Sequence, residues 1–326
     1  MKVARAGRVL AMALLVTVVS ACDVTVNQPQ GEPYQPPPAD KIEKAQNKVL
    51  LAGRVLVVKE GNIWLLTQDS FRQISSGGRS RQPAWSPDGR QVAFVKMGDN
   101  SSDIWLMNAD GSNARAITHF ASADLRASHW AFQPTWSPDG KTIAYVSEEA
   151  SFDLALWMMN ADGSGRREIA ALNAYTGGID NPAWAPDGTR VAVTAYRNGV
   201  AQVWVIDLNT GQWTQLSKSE GGAYDAAWSP DGMFVAYVAR DKGTNDIWVV
   251  AADGSSPTRV TASGWCRSPS WSPDGAYLGY LNGSGGYFDF WMVKVTPQGK
   301  VLKLGEPEQV TKNAQLDPAS GLSWSR

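Results

Sequence analysis

The pentapeptide Trp-Ser-Pro-Asp-Gly occurs four times in this chain, at 85–89, 136–140, 228–232 and 271–275. A fifth copy at 184–188 differs only by Ala185 in place of Ser. The five Trp are 51, 48, 44 and 43 residues apart, and a period of that length marks a fold built from one repeated supersecondary unit. A second series places a Trp inside an apolar segment at Trp64, Trp105, Trp157, Trp204, Trp248 and Trp291. With Trp324, the two series account for 12 of the 15 Trp.

Each unit reads as four short strands. The first ends in Trp, and Ser-Pro-Asp-Gly reverses the chain, with Pro holding φ near −65° and Gly taking the positive-φ position. The second strand is apolar, as in Val92-Ala93-Phe94-Val95, and the third carries the second Trp. A turn such as Asn108-Ala109-Asp110-Gly111 leads to a short edge strand closing in an aliphatic and a small residue, as in Ile117-Thr118. Four strands per unit and no helical period predict an all-β, six-bladed β-propeller over residues 51–326. The globular part opens with second, third and fourth strands (Val55–Val58, Ile63–Leu66, Arg72–Ser75) and finishes on Leu322-Ser323-Trp324-Ser325-Arg326, a first strand. Joined, these fragments complete one blade, so the C-terminal strand is expected to pair with the N-terminal ones and close the ring. Both Trp series are then wedges between blades and not an exposed sugar platform.

Composition narrows the function classes. Lys+Arg 30 against Asp+Glu 31 leaves no basic footprint for nucleic acid, which is not expected as a partner. Two Cys cannot build a disulfide framework and two His cannot build a three-His metal site, so no metal or cofactor is expected.

The first 21 residues read as a signal peptide: Lys2, Arg5 and Arg8 precede a 13-residue apolar run, Val9 to Ala21. The run ends Val19-Ser20-Ala21-Cys22, which resembles the lipobox of bacterial lipoproteins, whose Cys receives a diacylglyceryl group. Cys22 is therefore the expected lipidation site, and acyl chains its means of membrane attachment. Processing would leave 27 basic and 31 acidic residues, a formal charge of −4. Residues 22–50 then form the lipidated Cys and a Pro/Gln-rich tether, with five Pro between Asn27 and Asp40 and a short helical turn read over 41–51.

Pro-x-Trp-Ser-Pro-Asp-Gly, a hydrophobic strand and then Asp-Ile-Trp-x-Met-Asn-Ala-Asp-Gly resemble the WD-like repeat of the TolB family across residues 51–326. The resemblance implies a propeller outside the cytoplasm that binds a peptidoglycan-associated lipoprotein through its blades. Family members carry a separate N-terminal α/β domain where this chain has the tether. Similar blades precede serine-peptidase domains in prolyl oligopeptidase relatives; with the ring closing at residue 326, no such domain is expected here.

Catalytic motifs do not emerge. There is no Gly-x-Ser-x-Gly elbow. Gly140-Lys141-Thr142 lacks the first Gly of a phosphate loop, and the Asn-Ala-Asp-Gly tips lack the alternating ligands of a calcium loop. His119, His129 and Cys266 read as structural or solvent-facing. Attention falls instead on the connections into each first strand, which surround the channel mouth of a propeller. Three residues before the first-strand Trp stand Gln82, Gln133, Asn181 and Asp225, and one earlier stand Arg81, Asp180, Tyr224 and Arg267. Trp130, Tyr175 and Trp265 lie in the same connections, outside both Trp series. Aromatics beside Arg and Asp suit a recognition surface, although a wet channel needs a hydrophilic lining in any case.

The expected function is a lipid-anchored extracytoplasmic scaffold, in the periplasm or on the outer side of the cytoplasmic membrane or cell surface. It would bind an envelope protein or peptide at the channel mouth, without catalysis. The alternative is an envelope glycan-active enzyme using channel carboxylates such as Asp180 and Asp225.

Overall fold

The computed structural model describes residues 43–44, 50–124, 127–150, 153–172, 177–284 and 286–326. They form six four-stranded antiparallel sheets arranged as a six-bladed propeller. Blade 1 comprises Arg54–Lys59, Asn62–Leu66, Phe71–Gln73 and, as its inner strand, Ser323–Ser325. Blades 2 to 6 begin with inner strands Ser80–Trp85, Ala131–Trp136, Ile179–Trp184, Ala223–Trp228 and Cys266–Trp271. The expected closure forms: Arg54 pairs with Ser325, Val55 with Trp324 and Leu56 with Ser323.

The apolar core lies between blades. Six buried clusters each join one blade to the next, from the blade 1–2 group of Leu56, Ile63, Trp85 and Phe94 round to the blade 6–1 group of Leu281, Phe290, Val55 and Trp64. The first-strand Trp act as the wedges anticipated. Trp136 Nε1 donates to Ala84 O of blade 2 at 3.2 Å, and Trp271 Nε1 to Ala227 O of blade 5 at 3.0 Å.

Side-chain chemistry explains why the repeat keeps its residues. In the first turn, Ser86 Oγ donates to Asp88 Oδ1 and accepts from Gln91 N, while Asp88 Oδ1 accepts from Arg90 N. The same set recurs at Ser137/Asp139, Ser229/Asp231 and Ser272/Asp274. These bonds hold the carboxyls of Asp88, Asp139 and Asp274 below the usual range. The small residue closing the fourth strand has a role as well. Thr118 Oγ1 accepts Ile104 N and donates to Asp103, and Thr261 does the same with Ile247 N and Asp246.

Ahead of the ring, Leu50 is exposed and Leu51 buried. Glu43–Lys44 is a two-residue strand paired with Thr311–Lys312, in place of the helical turn expected there. The free edge at Thr311 offers backbone partners that a single isolated turn lacks. Residues 1–21 and Cys22 lie outside the described residues.

Candidate functional site

The inner strands of blades 2 to 6 each carry an irregularity at one position. Gln82, Gln133, Asn181, Asp225 and Ser268 all have φ between 50° and 57°, and the equivalent Gly321 has 75°. In blade 2, Arg81 pairs with Val95 and Ala84 with Ala93, so two inner-strand residues oppose one, a β-bulge. The same slip occurs in blades 3 to 6. A bulge leaves its N–H without a ladder partner, and that donor must find another.

In blades 3, 4 and 6 the neighbouring blade supplies it. Gln133 N donates to Gln82 Oε1 at 2.9 Å, Asn181 N to Gln133 Oε1 at 2.8 Å, and Ser268 N to Asp225 Oδ2 at 3.4 Å. Gln133 Nε2 adds a bond to Asn181 Oδ1 at 2.8 Å, and Ser268 Oγ donates to Pro318 O at 3.0 Å. Gln82, Gln133 and Asn181 thus belong together, as a hydrogen-bonded belt that ties blades 2, 3 and 4.

The residues one position earlier separate by sector. Arg81 pairs with Asp317, in the connection to the closing strand, at 2.5 Å. Trp130 stacks on Phe132, with centroids 6.0 Å apart, and belongs to the blade 2–3 sector. Asp180, Tyr224, Asp225, Trp265 and Arg267 gather on the other side, across blades 4 to 6. The Arg267 guanidinium lies 5.1 Å from the Tyr224 ring centroid, and Tyr224 Oη donates to Asn245 Oδ1 at 2.5 Å. Tyr175 lies outside the described residues.

Trp265 is held by its backbone and open at its side chain. It bridges to Asn245 of blade 5, and its carbonyl accepts Gly283 N of blade 6 at 3.0 Å. The residue is nonetheless 52% exposed, the most open tryptophan among the described residues. About half of this large aromatic is thus left unpacked by the chain itself.

Electrostatics concentrate in the same place. Burial, then the charge of Asp225, pushes Asp180 up to about 6. Burial pushes Asp225 up too, opposed by Arg267 and the Ser268 N–H. Tyr196, at the end of a blade 4 strand, is raised by burial and by the charge of Asp180. A glycan-cleaving pair needs one carboxyl protonated and its mate ionised. Burial raises both carboxyls here, while Arg267 and the Ser268 N–H favour the ionised form of Asp225 alone.

Tyr196, Asn245 and Asp317 are parts of this rim that the sequence reading missed. They sit in hairpins and connections whose lengths differ between repeats, so no common spacing singles them out.

A family model described as the TolB beta propeller domain matches residues 125–309, more than half of the chain. The chain belongs to the TolB β-propeller family. A TolB homolog of Chlorobium luteolum is 31% identical over 178 residues, covering 50% of this chain and 38% of that protein. An uncharacterized peptidase, YuxL, of Bacillus subtilis is 30% identical over 40% of this chain and 19% of its own length. The chain therefore spans well under half the length of these relatives. Among solved structures, TolB from Acinetobacter baumannii superposes with a TM-score of 0.68 at 19% identity, covering 84% of this chain and 66% of that one. At that identity the likeness speaks for the fold.

Proposed function

We propose that this protein is a non-enzymatic scaffold of the bacterial envelope, anchored through a lipid on Cys22, that binds a protein or peptide at its channel mouth. TolB relatives support the envelope and protein-binding part of this reading. The observation that carries the location is Trp265: its backbone is fixed between blades 5 and 6 while the residue stays half-exposed, in the sector that also holds Tyr224, Arg267, Asp180 and Asp225. Rigid aromatic anchors next to Arg and Asp are the groups that dominate recognition energetics.

The test compares detergent-solubilised envelopes from cells producing the wild type and the Trp265→Ala/Arg267→Ala variant. A protein recovered with the wild type and depleted at least tenfold with the variant supports the mouth. Equal recovery contradicts it. For the anchor, Cys22→Ala is expected to shift the protein from the membrane to the soluble extracytoplasmic fraction, and a variant that remains membrane-bound refutes lipidation there.

A further inference from the structure

The chain direction sorts the exposed apolar residues. Inner strands start at the mouth and second strands return to it, so inner-strand connections and second-to-third hairpins share that face. Tyr196 and Val200 lie in the blade 4 hairpin, Trp265 in the connection into blade 6, and Tyr287 at the blade 6 hairpin. These four are 37–52% exposed and occupy only the sector of blades 4 to 6. Exposed apolar side chains confined to one sector of one face suit a surface that is covered in use.

In this sector two carboxylates, Asp180 and Asp225, and two guanidiniums, Arg267 and Arg240, are unevenly paired. Asp225 accepts Ser268 N and faces Arg267. Among the described residues neither a hydrogen-bond donor nor a cation reaches Asp180; the one charge acting on it is that of Asp225. A carboxylate ringed by protein without a partner is costly, and an arriving cation relieves that cost. A metal ion is a poor candidate, because the described residues hold no cluster of three ligating side chains.

Resting on the binding reading above, we propose that the partner is a peptide segment presenting a Lys or Arg flanked by apolar residues, whose cation pairs with Asp180 while the flanking groups cover Trp265 and Tyr196. The occupant is identified by charge complementarity. An acidic segment would set a further negative charge against Asp180, which already meets that of Asp225, and a purely apolar one would seal an unpaired carboxylate beneath it. The elevated pKa of Asp180 agrees with a site that lacks its cation.

The experiment selects binders from a random dodecapeptide phage library on the full chain held in detergent. The winning peptide is then synthesised and its affinity measured by fluorescence anisotropy. Enriched sequences are expected to share a Lys or Arg with an aromatic or aliphatic residue nearby. Affinity should fall at least tenfold with Asp180→Asn, or when norleucine replaces the peptide's lysine, and should be largely kept by Asp180→Glu. Thermal melts of both variants guard against unfolding. Peptides that lack a basic residue, or that ignore Asp180→Asn yet are lost with Trp265→Ala, refute the cation and leave the mouth standing. Peptides indifferent to both substitutions, or no enrichment at all, overturn the cation and the mouth together.

Discussion

Trp324 pairs with Val55 across the junction that closes the ring, although 269 positions separate them in sequence. Its indole Nε1 donates to Ala52 O at 2.7 Å and its ring meets Phe290 of blade 6 edge-on, 5.7 Å between centroids. One side chain therefore joins both ends of the propeller and the neighbouring blade. Trp324→Ala is expected to cost about 2–4 kcal/mol, below the range for a fully buried Trp because this one is half-buried. Removing residues 323–326 should cost more and uncover the edge of Arg54–Lys59, giving oligomers on size-exclusion chromatography.

Blade 6 is adapted to a larger third-strand residue. Blades 2 to 5 carry Ile104, Leu156, Val203 and Ile247 where blade 6 has Phe290, and Ala93, Ala144, Ala192 and Ala236 where it has Gly279. A Cβ on Gly279 would stand 2.7 Å from Phe290 and 3.0 Å from Trp324. Gly279→Ala should therefore destabilise by roughly 1–3 kcal/mol in urea titrations. Phe290→Leu should remove most of that penalty, seen as a coupling energy in a double-mutant cycle.

The belt of bulge residues gives a third test. Gln133→Ala deletes the acceptor for Asn181 N and the donor to Asn181 Oδ1, leaving a bulge N–H unpaired at a blade interface. The expected loss is about 2–4 kcal/mol, from one unsatisfied donor and one further hydrogen bond. A loss below 0.5 kcal/mol on the same scale would show that water replaces the belt.

Asp180 makes stability depend on pH in a direction opposite to the usual carboxylate. Its folded pKa, about 6, lies above the ordinary 3.8, so the folded state holds the extra proton between those values. The stabilising contribution is complete below pH 4 and disappears as pH rises through 6. Asp180→Asn should then be near neutral at pH 4 and stabilising at pH 7.5, by at most about 3 kcal/mol and less to the extent that the channel is wet. Chemical denaturation of both proteins at the two pH values checks the sign.

Much of this architecture is legible in the sequence because a propeller writes the same physics into it six times. The Ser-Pro-Asp-Gly turn needs its hydroxyl, its carboxylate and its positive-φ Gly, so those residues recur at a fixed spacing. The split blade is legible for the same reason, since a lone first strand at one end answers three strands at the other. The positions of Gln82, Gln133, Asn181 and Asp225 also stand out by spacing, but their division of labour does not. Gln82, Gln133 and Asn181 bond to one another across blades 2 to 4 and Asp225 accepts from Ser268 of blade 6, while Asp180 meets Asp225 through charge alone. That meeting, the capture of Arg81 by Asp317 and the approach of Tyr196 to Asp180 depend on ring curvature and hairpin shape, which a linear repeat does not encode.

Site-specific photocrosslinking in intact cells addresses the central claim that the mouth in the sector of blades 4 to 6 is the working surface. A benzoylphenylalanine replaces Trp265 in one protein and Met233, exposed in a Ser-Pro-Asp-Gly turn on the opposite face, in another. The account predicts a discrete protein adduct from position 265, weakened at least fivefold by adding Asp180→Asn, and none from position 233. No adduct at 265, or the same adducts from both faces, would contradict it.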